Sequence, residues 1–188
     1  MVPQNLPNLI SVARLALTPA FAYYLVTRGY AVALPIFIVA ALSDFADGYI
    51  ARRFGLTSRL GAALDPVADK LNMLVATLVL ASQALLPLWL ATAIVARDVL
   101  IVLGALLYRR VVGRLDISPS RLSKLNTLLE FALLSLVMAS AAHWLDGDAL
   151  AIGFVIVGAT VVASGVQYAW RWHAKLMSQR PPPLRSSR

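Results

Sequence analysis

Residues 43–70 read SDFADGYIARRFGLTSRLGAALDPVADK and are flanked on both sides by long apolar sequence. Asp44, Asp47, Asp65 and Asp69 therefore stand where the chain passes from one hydrophobic stretch to the next. Asp44, Asp47, Gly48, Ala51 and Arg52 follow i, i+3, i+4, i+7, i+8 spacing, which puts them on one face of a helix. Gly61, Asp65 and Asp69 recur every four residues and share a face of the following helix. A short link between two antiparallel helices lets these faces meet, with all four acids at the same end.

The flanks set the environment. Of the 188 residues, 60% are hydrophobic and 14% charged, against roughly half and a quarter in a soluble domain. The mean hydropathy is +0.75. This composition predicts a multi-pass membrane protein of one domain. No cysteine is present, so disulfides and thiolate chemistry are excluded. The N-terminal MVPQNLPNLISVARLAL has no basic leader segment and no small-residue cleavage site, so no signal peptide is expected. The formal net charge is +8. Its cations gather at the ends of apolar stretches, which suits anionic lipid headgroups; no nucleic-acid partner is expected.

Six spans of about 20 residues are expected: Ile10–Val26, Tyr30–Arg53, Leu60–Ser82, Pro87–Arg110, Pro119–Ala142 and Asp148–Trp172. A short interfacial amphipathic segment, Val2–Asn8, precedes them. The expected fold class is thus all-α integral membrane, with a membrane domain over 1–172 and a basic, disordered tail over 173–188. Ser118 is the expected cap of the fifth helix. Six spans put both termini on one side, and the other side carries only Arg28 among basic residues, with Asp146 and Asp148. The Lys/Arg bias makes the side of the termini and the aspartates cytoplasmic. A bacterial inner membrane is the expected location. His143 and His173 fall on opposite sides and cannot form a ligand pair; His143 reads as a solvated loop residue.

Four carboxylates packed together repel, and some would take up protons if left alone. Divalent cations remove the conflict, and an all-oxygen ligand set suits hard ions such as Mg²⁺ or Mn²⁺. Two such ions sharing the carboxylates can stabilise both the attacking and the leaving oxygen of a displacement at phosphorus. Gly48 and Gly61 clear space for a ligand to approach the backbone, and Arg52 offers a planar fork for phosphate oxygens. A solvated helix end explains one such acid. Four in register on two faces point to function.

The spacing D-x2-D-G-x2-A-R-x8-G-x3-D-x3-D runs unbroken through Asp44, Asp47, Gly48, Ala51, Arg52, Gly61, Asp65 and Asp69. On this signature, and over its whole length, the chain resembles the CDP-alcohol phosphotransferase family. The resemblance implies six membrane helices behind an interfacial segment, and two divalent cations, Mg²⁺ or Mn²⁺. It implies that Asp44 and Asp65 bridge the ions, that Asp47 binds one, and that Asp69 binds the other and acts as general base. By the same resemblance Gly48, Arg52, Ser58 and Gly61 hold the cytidine diphosphate of the donor. Asn8, in LPNLI, touches the donor's phosphates. Family members are commonly homodimers, so a homodimer is expected.

The leading LPNLISVARLALTP looks like the branch that uses CDP-diacylglycerol. ARDVLIV (96–102) and LSKLNTLLE (122–130) look closer to the CMP-forming cardiolipin synthases than to phosphatidylglycerophosphate synthases. The resemblance therefore implies transfer from CDP-diacylglycerol to phosphatidylglycerol, giving cardiolipin and CMP. Lys124, Asn126, Arg97 and Arg121 are the candidate acceptor residues. For Arg97 the alternative is a structural ion pair with Asp98, and for Lys124 and Arg121 ordinary charge at a membrane face. Glu130 stands where a neutral glutamine is expected and calls for a partner. Glycerol 3-phosphate is the rival acceptor. A small cation transporter is the rival of another class, and it asks for carboxylates spread through the membrane depth and for inverted repeats.

Overall fold

A computed structural model describes residues 6–54, 61–112 and 120–178, with side chains over 16–43, 70–104 and 120–171. The described residues form six helices and no strand: α1 (Leu6–Val26), α2 (Tyr30–Phe54), α3 (Gly61–Ser82), α4 (Leu88–Val112), α5 (Arg121–Ala141) and α6 (Leu150–Ser178).

Three connections share one way of stopping a helix. After α1, α3 and α5 the chain turns through Arg28, Ala84 and His143, at φ of 62°, 59° and 60°. The next residue then donates its N–H to a carbonyl five residues back: Gly29 to Tyr24 at 2.7 Å, Leu85 to Leu80 at 3.0 Å, Trp144 to Ala139 at 2.9 Å. This left-handed cap satisfies carbonyls that the last helical turn leaves open.

All three turns lie at one end of the bundle. Tyr30, the first residue of α2, donates its hydroxyl to Gln83 Oε1 at 2.7 Å, just past the end of α3. Gln83 Nε2 in turn donates to the carbonyl of Leu25 at the end of α1, at 3.0 Å. The C-terminus of α1, the N-terminus of α2 and the C-terminus of α3 are thus tied together. α2 and α3 run antiparallel, and α1 packs against both.

The second half of the chain is built on α6, which lies against α4 and α5. Its small residues allow the approach. A Cβ on Gly158 would stand 2.7 Å from Trp89 Cζ3 of α4, and one on Gly153 would stand 2.8 Å from Leu133 Cδ1 of α5. Close helix contact through glycine is the usual packing device of apolar bundles. Phe21, Phe37 and Phe131 stack in series, with centroids 5.3 and 4.8 Å apart, and join α1, α2 and α5 across the middle. Leu133 is 3% exposed, so its side chain would have to shift within the core to admit a larger residue. Gly153→Val is therefore expected to destabilise by about 1–3 kcal/mol through overpacking, read as a lower melting temperature in detergent.

Several boundaries differ from the sequence reading. Of the expected interfacial segment Val2–Asn8, Leu6–Asn8 belong to α1, and residues 2–5 lie outside the described residues. α5 starts at Arg121 and is capped by Ser120, whose hydroxyl accepts from Ser123 N at 3.1 Å. The expected cap, Ser118, lies outside the described residues. α6 runs to Ser178, past the expected end at Trp172, since WHAKLM contains no helix breaker.

Of the six expected spans, Arg121–Ala141 and Leu150–Arg171 are long and apolar enough among the described residues to cross a membrane. The described apolar parts of the first three helices, Ala16–Val26, Tyr30–Ser43 and Lys70–Ser82, are shorter. The outer face of α6 presents Ile152, Val155, Val162, Val166 and Trp170, all exposed. That is the reverse of a helix that turns its polar face to water.

Candidate active site

The antiparallel pair decides where the signature lies. α2 and α3 are tied at the Tyr30–Gln83 end, so the end of α2 and the start of α3 lie together at the opposite one. Asp44, Asp47, Gly48 and Arg52 belong to the second half of α2, and Gly61, Asp65 and Asp69 to the first part of α3. Asn8 is at the start of α1, whose other end joins the Gln83 tie, so it belongs to the same end as the aspartates. The side chains of these residues lie outside the described ones, and Ser58 lies outside the described residues altogether. Two pairs of acids on adjoining helix ends form a donor set that fits two hard cations. Among the residues with described side chains, which exclude these four aspartates, no group of three His, Cys, Asp or Glu able to hold a metal occurs.

A polar cluster begins next to the signature. Lys70, the residue after Asp69, donates from Nζ to Asp98 Oδ2 at 2.8 Å. Arg97 donates from Nη1 to Asp98 Oδ1 at 2.7 Å, and from Nη2 to Ser123 Oγ at 2.6 Å and Ser164 Oγ at 3.1 Å. Asp98 thus spends one oxygen on each cation, and four helices, α3 to α6, meet through two side chains. Arg97 is 5% exposed. A guanidinium taken out of water needs partners for its donors, and the carboxylate and two hydroxyls supply them. Its Nε is buried with no hydrogen-bond partner among the described residues.

A second polar seam joins α5 to α6. Thr160 Oγ1 donates to Asn126 Oδ1 at 2.9 Å, and Asn126 Nδ2 approaches Glu130 Oε2 at 3.5 Å. Asn126 is fully buried and Glu130 nearly so. The glutamate that the sequence left without a partner thus has an amide one turn before it.

The four candidate acceptor residues divide into two pairs. Arg97 and Asn126 are buried and face α6, bonded to Ser164 and Thr160. Arg121 and Lys124 are exposed in the first turn of α5. Cations in a first turn oppose the helix dipole, so helix stability does not explain them. Sequence reasoning paired Asp98 with Arg97 alone and missed Lys70, because a contact between α3 and α4 has no local spacing. It also passed over Ser123, Thr160 and Ser164, whose small hydroxyls carry no signal until a buried charge faces them. Glu130 and Asn126 stand at i, i+4 spacing, but the sequence reading did not pair them.

Comparison with known proteins agrees with the signature. The family model described as CDP-alcohol phosphatidyltransferase matches residues 4–167. A cardiolipin synthase (CMP-forming) / mitochondrial hydrolase fusion protein of Schizosaccharomyces pombe is 37% identical, over 87% of this chain and 30% of its own length. Human cardiolipin synthase (CMP-forming) is 29% identical, over 88% of this chain and 61% of its own. A chloroplastic CDP-diacylglycerol–glycerol-3-phosphate 3-phosphatidyltransferase of rice is 28% identical, over 89% and 57%. The chain therefore spans less than two thirds of the length of these relatives.

The expected bacterial inner-membrane location, with its cytoplasmic termini and active site, is corrected by these comparisons. The three relatives named above, each aligned over nearly nine-tenths of the chain, are eukaryotic, and the yeast one carries a mitochondrial label. A mycobacterial putative cardiolipin synthase, at 41% identity, aligns over only 52% of the chain. Composition could not reveal this, because a basic membrane face looks alike in bacteria and in organelles. The transporter reading finds no support among these relatives. With the signature on two adjoining helix ends and a family match over most of its residues, this chain belongs to the CDP-alcohol phosphatidyltransferase family.

Proposed function

We propose that this chain is an integral membrane phosphatidyltransferase that joins CDP-diacylglycerol and phosphatidylglycerol to give cardiolipin and CMP. The observation that carries the reading is the antiparallel α2–α3 pair, which gathers Asp44, Asp47, Asp65 and Asp69 at one end of the bundle. Its likeness to CMP-forming cardiolipin synthases supports the choice of acceptor. In this reading all six helices cross the membrane. The exposed apolar faces of α3, α4 and α6 meet lipid, and the protein works as a homodimer.

Asp44, Asp47, Asp65 and Asp69 would hold two Mg²⁺ or Mn²⁺ ions. When bound, these ions neutralise charge on the diphosphate and on the oxygens entering and leaving phosphorus. Asp69 takes the proton from the acceptor's hydroxyl as that oxygen attacks the β-phosphorus of the donor. A P–O bond forms, the bond to CMP breaks, and CMP carries away the electron pair. Arg52, Gly48, Gly61, Ser58 and Asn8 hold the cytidine diphosphate. Arg121 and Lys124, exposed at the same end, attract the acceptor's phosphodiester. Arg97 and Asn126 act from behind by fixing α5 against α6.

A second reading, with glycerol 3-phosphate as acceptor, is favoured by the rice relative. Purified protein in liposomes with CDP-diacylglycerol and Mg²⁺ separates the two. CMP and cardiolipin formed only with phosphatidylglycerol support the first. Phosphatidylglycerophosphate formed only with glycerol 3-phosphate overturns the acceptor and leaves the aspartate chemistry standing. No CMP with either acceptor rejects both.

A further inference from the structure

α3 turns one stripe to the interior. Ala76 and Leu80 are fully buried on it, while Leu71, Leu74 and Leu78 are exposed on the opposite side. At about 100° per residue, positions 65 and 69 fall within about 20° of Ala76, and position 72 within about 40°. Asn72 therefore continues the stripe of Asp65 and Asp69, about 4.5 Å further along the axis than Asp69.

Asn72 is 6% exposed, and among the described residues its carbonyl oxygen Oδ1 is buried with no hydrogen-bond partner. An unsatisfied buried acceptor is destabilising, since the water it gave up is not replaced. A leucine or methionine would fill such a position without that cost. The oxygen is an acceptor without a donor among the described residues, three positions after Asp69, the proposed general base. In the transferase reading the acceptor's attacking hydroxyl lies at Asp69, so the carbon next to that hydroxyl is the part of the acceptor within reach of a residue three positions further along α3.

We propose that Asn72 sets acceptor specificity. Its Oδ1 accepts a hydrogen bond from the acceptor's second hydroxyl, adjacent to the one that attacks, so the site selects 1,2-diols. The proposal rests on the transferase reading above. It does not rest on which acceptor is used, since phosphatidylglycerol and glycerol 3-phosphate both carry the vicinal hydroxyl.

The test pairs each acceptor with an analogue lacking only that hydroxyl: phosphatidyl-1,3-propanediol for phosphatidylglycerol, and 3-hydroxypropyl phosphate for glycerol 3-phosphate. The wild-type protein is expected to favour the diol at least ~10-fold in kcat/KM, the scale of one buried hydrogen bond. Asn72→Leu is expected to bring that ratio to within about 2-fold of unity. Turnover of the analogue and the KM for CDP-diacylglycerol should stay near wild type, and the protein should melt higher. Asn72→Ala should collapse the ratio in the same way, which guards against an effect peculiar to leucine. A ratio unchanged in both variants, or equal loss on diol and analogue, overturns the proposal and leaves the transferase reading intact. No CMP from any acceptor removes both.

Discussion

Asp69→Asn is expected to lower CMP release at least ~10³-fold, with CDP-diacylglycerol still bound. General-base catalysis contributes about 10²–10⁴-fold, and asparagine also removes one anionic ligand from the proposed metal pair. The substitution keeps the shape and the α3 helix, so the donor contacts proposed for Gly48 and Arg52 on α2 should be retained. Two readouts separate chemistry from binding: single-turnover release of CMP, and equilibrium binding of CDP-diacylglycerol to liposomes containing the variant. A variant that turns over within ~10-fold of wild type would remove Asp69 as the base. Loss of donor binding as severe as the loss of rate would make it a binding residue. Asp44, on the neighbouring helix α2, is proposed to have the complementary role. If it bridges two ions, its loss shifts the Mg²⁺ requirement to higher concentration instead of abolishing the proton transfer alone.

Asp98→Asn is expected to cause the largest loss of stability. Its two carboxylate oxygens answer Lys70 at 2.8 Å and Arg97 at 2.7 Å. Arg97 is 5% exposed and cannot turn to water when its counter-ion is gone. Leaving a buried charge unpaired costs about 3–5 kcal/mol, which in a chain of this size lowers the melting temperature by about 6–20 °C. The decisive comparison is the double variant Arg97→Met/Asp98→Asn, which removes the stranded charge with its partner. It should recover most of the loss, because an ion pair replaced by apolar packing is often close to neutral. No recovery would mean that Asp98 acts chiefly through Lys70. A shift under ~1 °C in the single variant would mean that the pair is too well solvated to matter.

The two variants probe different kinds of information. The acid quartet was legible because its chemistry repeats at helical spacing within one stretch of chain, and eight positions agree with a family pattern. The six helices were legible as apolar runs, and their stops were close to right wherever a turn followed. The finer ends were not. Ser120 caps α5 because its hydroxyl reaches Ser123 N, and in SPSRLS the choice between two serines is a matter of backbone angle. Glu130 was not matched with Asn126, four residues before it, since the amide and the acid could each have faced lipid.

By itself the sequence determined the all-α class of fold and the family, and it pointed to the four aspartates as the place of the chemistry, because these readings depend on residue type and on periods within one helix. Only the tertiary structure decided which buried groups meet. Lys70 finds Asp98 across α3 and α4, Arg97 finds Ser123 and Ser164, and Asn126 finds Thr160. It also left Asn72 Oδ1 buried without a donor among the described residues. The physical reason is common to all four. Once a polar group leaves water, its free energy is governed by the partner it meets, or by the want of one. Partners on other helices are set by packing, and packing has no period along the chain.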